Sequence, residues 1–93
     1  MTATPTPLAL GPELTIPFAA AARDTLFDAL QANSGDLAIE LSGVTDMDSA
    51  GVQLLLSTQR SLAERGDALV FLAPSAPVRE ALAVFGLAHV LQS

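Results

Sequence analysis

The apolar positions of this chain change period several times, and each change marks an element. Leu8-Ala9-Leu10 is a short apolar run closed by Gly11-Pro12. Glu13 to Ile16 alternates polar and apolar, which predicts a second short strand ended by Pro17. From Phe18 to Ala32 the period lengthens to that of a helix. Phe18, Ala22, Leu26, Ala29 and Leu30 share one stripe, and Arg23, Asp24, Asp28 and Gln31 lie opposite. Asn33-Ser34-Gly35 stops it, because Asn and Gly tolerate the left-handed conformation that ends helices. Leu37 to Leu41 is the clearest strand, with Leu37, Ile39 and Leu41 on one face. A second helix runs from the Asp48-Ser49 cap to Arg65, with Val52, Leu55, Leu56, Gln59 and Leu62 facing inward. Gln53, Ser57, Thr58, Arg60, Ser61 and Glu64 are expected to face out, and Leu54 to sit exposed at the border. Ala68 to Leu72 is uninterrupted and apolar, as in a parallel strand buried on both faces. Ser75-Ala76-Pro77 opens a third helix with Val78, Ala81, Leu82 and Phe85 inward, and Gly86 closes it. Leu87, Val90 and Leu91 make a last apolar turn.

The order is β-β-α-β-α-β-α. Alternating strands and helices imply parallel pairing through right-handed crossovers, and the tight turn at Gly11-Pro12 predicts an antiparallel first pair. The expected architecture is one small α/β domain over residues 1–93, a mixed sheet of four to five strands with helices mainly on one face. Residues 1–7 read as a flexible arm or the approach to an edge strand.

Composition narrows the function. The chain has 93 residues, too few for a catalytic cleft with walls of its own. Ten acidic residues face four arginines and no lysine, for a net charge of −6. Nucleic acid is excluded as a partner, since phosphate contacts need clustered cations, and so is adhesion to an anionic membrane. The absence of cysteine removes disulfides, thiolate catalysis and Cys-based zinc sites. One histidine, His89, cannot build a metal site, and it reads as a partly packed surface residue. No cofactor is called for. No apolar run reaches the roughly 18 residues of a membrane span and no secretory leader is evident, so a cytoplasmic location is expected. Phe18, Phe27, Phe71 and Phe85 read as core, Arg60 and Arg65 as solvated, and Asp67 as a turn residue.

The informative stretch is Asp46-Met47-Asp48-Ser49-Ala50-Gly51, between a strand and the helix that follows. One reading is purely structural: Asp and Ser cap the helix, and Ala and Gly allow close packing. A second is enzymatic, since Asp-x-Asp after a strand suggests a small Asp-dependent phosphatase. That chemistry needs a lysine to neutralise phosphate, and the chain has none. A third is an interaction switch. A phosphate on a serine at a helix N-terminus would meet backbone donors, and its charge would repel an acidic partner without refolding.

Leu41-Ser42-Gly43-Val44, then Asp46-Met47-Asp48-Ser49-Ala50-Gly51 and Val52-Gln53-Leu54-Leu55-Leu56, resemble the signature of the STAS domain family. That family includes the bacterial anti-sigma-factor antagonists. The resemblance continues through Gly66-Asp67, Leu69 to Leu72, Pro77-Val78-Arg79 and Phe85-Gly86-Leu87, from about Leu8 to Leu91. It implies a non-enzymatic regulatory module, anti-sigma-factor-antagonist-like, that binds a protein partner through the loop and the following helix. The contact residues it implies are Asp46, Asp48, Ser49, Ala50, Gly51, Gln53 and Leu54. The partner would be an anti-sigma factor with serine-kinase activity, or a chemosensory or other signalling kinase. One position departs from the pattern. The family's usual phosphoserine precedes the glycine, and here that residue is Ala50, which leaves Ser49 as the available acceptor. The Asp-Ser-Ala-Gly variant also resembles STAS subunits that dock on the ATPase of phospholipid-transport ABC systems. The oligomeric state is left open between a monomer and a weak dimer.

Overall fold

The computed structural model describes residues 7–32 and 34–87. The elements are β1 (Leu8–Ala9), β2 (Glu13–Leu14), α1 (Ile16–Ala32), β3 (Leu37–Glu40), β4 (Asp46–Met47), α2 (Ser49–Glu64), β5 (Leu69–Leu72) and α3 (Ala76–Val84). The α/β architecture follows the order read from the sequence, with the two-residue β4 added inside the signature loop. His89, Val90, Leu91, Asn33 and residues 1–6 lie outside the described residues.

The strand pairing differs from expectation. β1 and β2 do not form an antiparallel hairpin. β3 is the centre of a three-stranded sheet, flanked by β1 and β5, and β2 pairs with β4 in a second, two-stranded sheet. Every pair is parallel. The segment Gly11-Pro12 carries the chain onward without reversing it. Gly11 has φ +117°, and a side chain there would come within 3.3 Å of the Gly43 carbonyl and Val44. The Pro12 carbonyl then accepts from the Thr45 amide at 2.7 Å, which sets β2 beside β4.

α1 begins two residues earlier than the stripe suggests. Pro17 lies in the first turn, where its missing N–H breaks no intrahelical bond. It therefore starts the helix instead of merely ending β2. Gly35 and Gly66, at φ +88° and +84°, follow α1 and α2 where the chain leaves the helical conformation.

The core lies between the β1-β3-β5 sheet and the helices. Leu37, Ile39 and Leu69 from the sheet meet Leu26, Val52, Leu55, Leu62, Val78 and Leu82, all buried. β5 is covered less completely than its apolar run suggests. Leu69 is buried but Val70 is 40% exposed, so the helices cover one face. α2 is buried over a wider arc than the predicted stripe, because α1 packs along its flank. Leu54 and Thr58, both expected outside, are buried at 8% and 4% exposure. The Thr58 hydroxyl is satisfied by donating to the Leu54 carbonyl at 2.8 Å. The phenylalanines also depart from expectation. Phe71 is half-buried, while Phe18, Phe27 and Phe85 are exposed.

Arg65 and Asp67 have structural tasks. The Arg65 guanidinium donates to Asp67, to the Leu30 carbonyl at the end of α1 and to the Gly35 carbonyl, at 2.8, 2.7 and 3.0 Å. One side chain thus ties the C-terminal end of α2 to that of α1. A planar guanidinium suits this role because its donors point in several fixed directions. No helix among the described residues is long and apolar enough to cross a membrane.

Candidate functional site

The signature loop is anchored on three sides before it reaches α2. The Val44 carbonyl accepts from the Ser75 hydroxyl at 2.6 Å, which fixes the start of α3 beside the loop. Thr45 is held by Pro12 through its amide and its hydroxyl. β4 then pairs with β2, with Asp46 in register with Glu13. Both are exposed, so the edge of this small sheet carries two adjacent carboxylates.

Asp48 organises the site. It is the N-cap of α2, with extended backbone, and its Oδ1 accepts from the amides of Ala50 and Gly51 at 2.9 and 3.3 Å. Its Oδ2 accepts from the Ile16 amide, 32 residues earlier in the chain, at 3.0 Å. One carboxylate therefore caps α2 and receives the first amide of α1. An anion at two helix N-termini is favoured by both dipoles. Its own amide donates to the Leu14 carbonyl at 3.3 Å.

Gly51 is buried, and its packing explains the residue type. A Cβ there would lie 2.3 Å from the Leu14 carbonyl oxygen and 2.9 Å from the Leu14 Cβ. The close approach that the glycine permits is to β2 of the same chain. Leu54, expected as an exposed contact, is in the core. Of the residues implied as contacts, the exposed ones are Asp46, Ser49 and Gln53, and Ala50 is half-buried among them. Asp48, Gly51 and Leu54 hold this surface in place from beneath.

Beside that surface runs a shallow groove of about 470 Å³ between α1 and α2, with Ile16, Ala19, Ala20 and Arg23 on one wall and Ala50 and Gln53 on the other. The α1 wall was not among the residues the sequence singled out. A signal was present: α1 is apolar around much of its circumference, more than one packed face requires. Among the described residues no group of three or more His, Cys, Asp or Glu side chains could hold a metal ion.

In this parallel α/β fold the distinctive loop caps α2 and presents its first turn at the surface. The family model described as Mlab, STAS domain matches residues 1–92, and the chain belongs to the STAS domain family. It is thereby a regulatory, protein-interaction type of domain. No curated protein and no solved structure matches the chain.

Proposed function

We propose that this STAS domain is a non-enzymatic docking module whose contact surface is Asp46, Ser49, Ala50 and Gln53. Its partner is a protein of the signalling-kinase class: an anti-sigma factor with serine-kinase activity, or a chemosensory kinase. The observation that carries this reading is the division of labour in the loop. Asp48 has both carboxylate oxygens committed to backbone amides, while Ser49 and Gln53 are left exposed on the first turns of α2. Asp48 could serve in an Asp-x-Asp phosphatase pair only by giving up those bonds, which argues against that chemistry. Asp46 and Glu13 give this surface an acidic rim.

Ser49 is the switch position in this reading. Phosphate there adds about −1.5 to −2 charges beside Asp46 and Glu13, which weakens docking on an acidic rim of the partner. The test is titration of a candidate partner kinase with wild-type protein, Ser49→Ala and Ser49→Asp. Docking retained by Ser49→Ala and weakened at least about tenfold by Ser49→Asp, or about 1.4 kcal/mol, is the expected pattern. Equal affinity for all three variants would remove Ser49 from the interface.

One observation favours a second partner class. Ala50 carries no hydroxyl at the family's usual phosphoserine position, a variant that resembles the STAS subunits docking on phospholipid-transport ATPases. Co-purification with a neighbouring ATPase in place of a kinase would select that reading, with the same surface residues.

A further inference from the structure

β5 is an edge strand with nothing in its sequence to blunt it. Among the described residues it pairs only with β3, and it reads Leu69-Val70-Phe71-Leu72, with no charge and no proline. An open edge is a row of unpaired backbone donors and acceptors, which proteins guard with lysine, proline or sheer shortness. The opposite edge of the sheet, β1, is guarded in this way: it is two residues long and follows Pro7. On the helix side of β5 an open groove of about 440 Å³, bordered by Leu56, Arg60, Ala63 and Leu69, runs beside the edge.

The ladder fixes which groups are free. On the β3 side, the Ala68 and Leu72 carbonyls accept from the Leu37 and Leu41 amides, each at 3.0 Å. Backbone groups alternate sides along a strand, so the amide and carbonyl of Leu69 and of Phe71 point away from β3. These free groups are symmetric about Val70. A second β5 laid antiparallel, with a two-fold axis at Val70, sets Leu69 opposite Phe71 of the other copy, and Phe71 opposite Leu69. Each such pair exchanges both of its hydrogen bonds, and within β5 no other register uses all the free groups. The side chains agree with this register. Val70 is 40% exposed on the sheet face away from the helices. It meets Val70 of the second copy in a non-hydrogen-bonded pair, where opposed side chains lie closest. On the same face Leu72 lies beside Ala68 of the second copy, a large side chain beside a small one.

We propose that the free edge of β5 is a self-association surface, on which a second copy of this chain adds its own β5 antiparallel and joins the two sheets into one. Register and charge select that occupant. A reversed copy supplies donors and acceptors at the spacing the edge presents. The chain carries −6 overall, so two copies meet best where neither is charged, and β5 carries no charge. The contact is a few residues long, so the dimer is weak and concentration-dependent. The inference stands apart from the docking reading, because β5 contributes no residue to the proposed contact surface.

The experiment is amide hydrogen exchange of the full chain at about 10 µM and about 1 mM, the range a small interface requires. The Leu69 and Phe71 amides are expected to exchange freely at the lower concentration and to become protected at the higher. The Val70 and Leu72 amides, which face β3, should be protected at both. Protection of Leu69 and Phe71 that is independent of concentration would assign the edge to another segment of the same chain and overturn the proposal. Fast exchange of both at the higher concentration would overturn it as well. Sedimentation equilibrium tests the register. Val70→Lys and Val70→Glu should each weaken the dimer about tenfold, because like charges replace a Val–Val contact at the axis. An equimolar mixture of the two should associate more tightly than either alone, since the opposed pair is then opposite in sign. A mixture that gains nothing would overturn the proposal. Val70→Lys also lowers the net negative charge, so association of that variant tighter than wild type would show a general charge effect and overturn it too. Circular dichroism verifies that each variant folds.

Discussion

Replacing Asp48 tests the structural assignment of the loop most directly. Its carboxylate accepts three backbone amides, two at the start of α2 and one at the start of α1. In Asp48→Ala the α2 cap is lost, at about 1 kcal/mol. The interaction of a negative charge with two helix N-termini is worth about 0.3–1 kcal/mol at each. The Ile16 amide is exposed and can turn to water, so its bond contributes only about 0.5 kcal/mol. The total is about 2–3.5 kcal/mol. At about 4–8 °C per kcal/mol for a domain of this size, Tm should fall by roughly 10–25 °C. Asp48→Asn is the sharper variant. Asparagine caps a helix about as well as aspartate, but it has one acceptor oxygen and no charge. It should cost about 1–2 kcal/mol and leave the first turn of α2 intact while freeing α1. Urea denaturation gives the energies, and amide hydrogen exchange at Ile16 against Ala50 and Gly51 shows which helix was released. Asp48→Ala within about 0.5 kcal/mol of wild type, the scatter of neutral surface substitutions, would refute the double-cap assignment.

Other positions give independent outcomes. Gly51→Ala places a methyl 2.3 Å from the Leu14 carbonyl, a backbone atom that can move only with β2. The variant should lose at least about 3 kcal/mol in urea denaturation, well beyond an ordinary helical Gly-to-Ala change, which is favourable. Leu54→Ala should cost about 2–4 kcal/mol as a core truncation; loss of partner affinity with unchanged stability would instead mark Leu54 as a contact. Arg65→Ala should cost about 1–2 kcal/mol after allowance for solvent screening of a side chain that is 33% exposed. Arg65→Lys should recover only part of that in thermal denaturation, because an ammonium cannot span acceptors on α1, the following turn and Asp67.

The signature loop shows where local reading was sufficient. That Asp48 would cap α2 follows from its place before a helical run, and the cap is present. That Gly51 would allow a close approach is also legible, since only a residue without a side chain serves that purpose. What the approach is made to was not legible, because Leu14 lies 37 positions away in the chain. The second acceptor role of Asp48 has the same character. A carboxylate has two oxygens, and nothing near it in sequence says that the other meets Ile16.

By itself the sequence determined the element types and their order, because hydrophobic period and stop residues act over a few positions. The absence of cysteine also removed disulfides and thiolate chemistry. Only the tertiary structure decided the strand partners, since a turn at Gly11-Pro12 is compatible with reversal or continuation until Pro12 meets Thr45. It alone decided that Leu54 and Thr58 are inside, because their burial comes from α1 and not from the sheet that sets the main stripe of α2. It also left much of the apolar surface of α1 uncovered, a property that depends on how far the rest of the fold reaches around that helix.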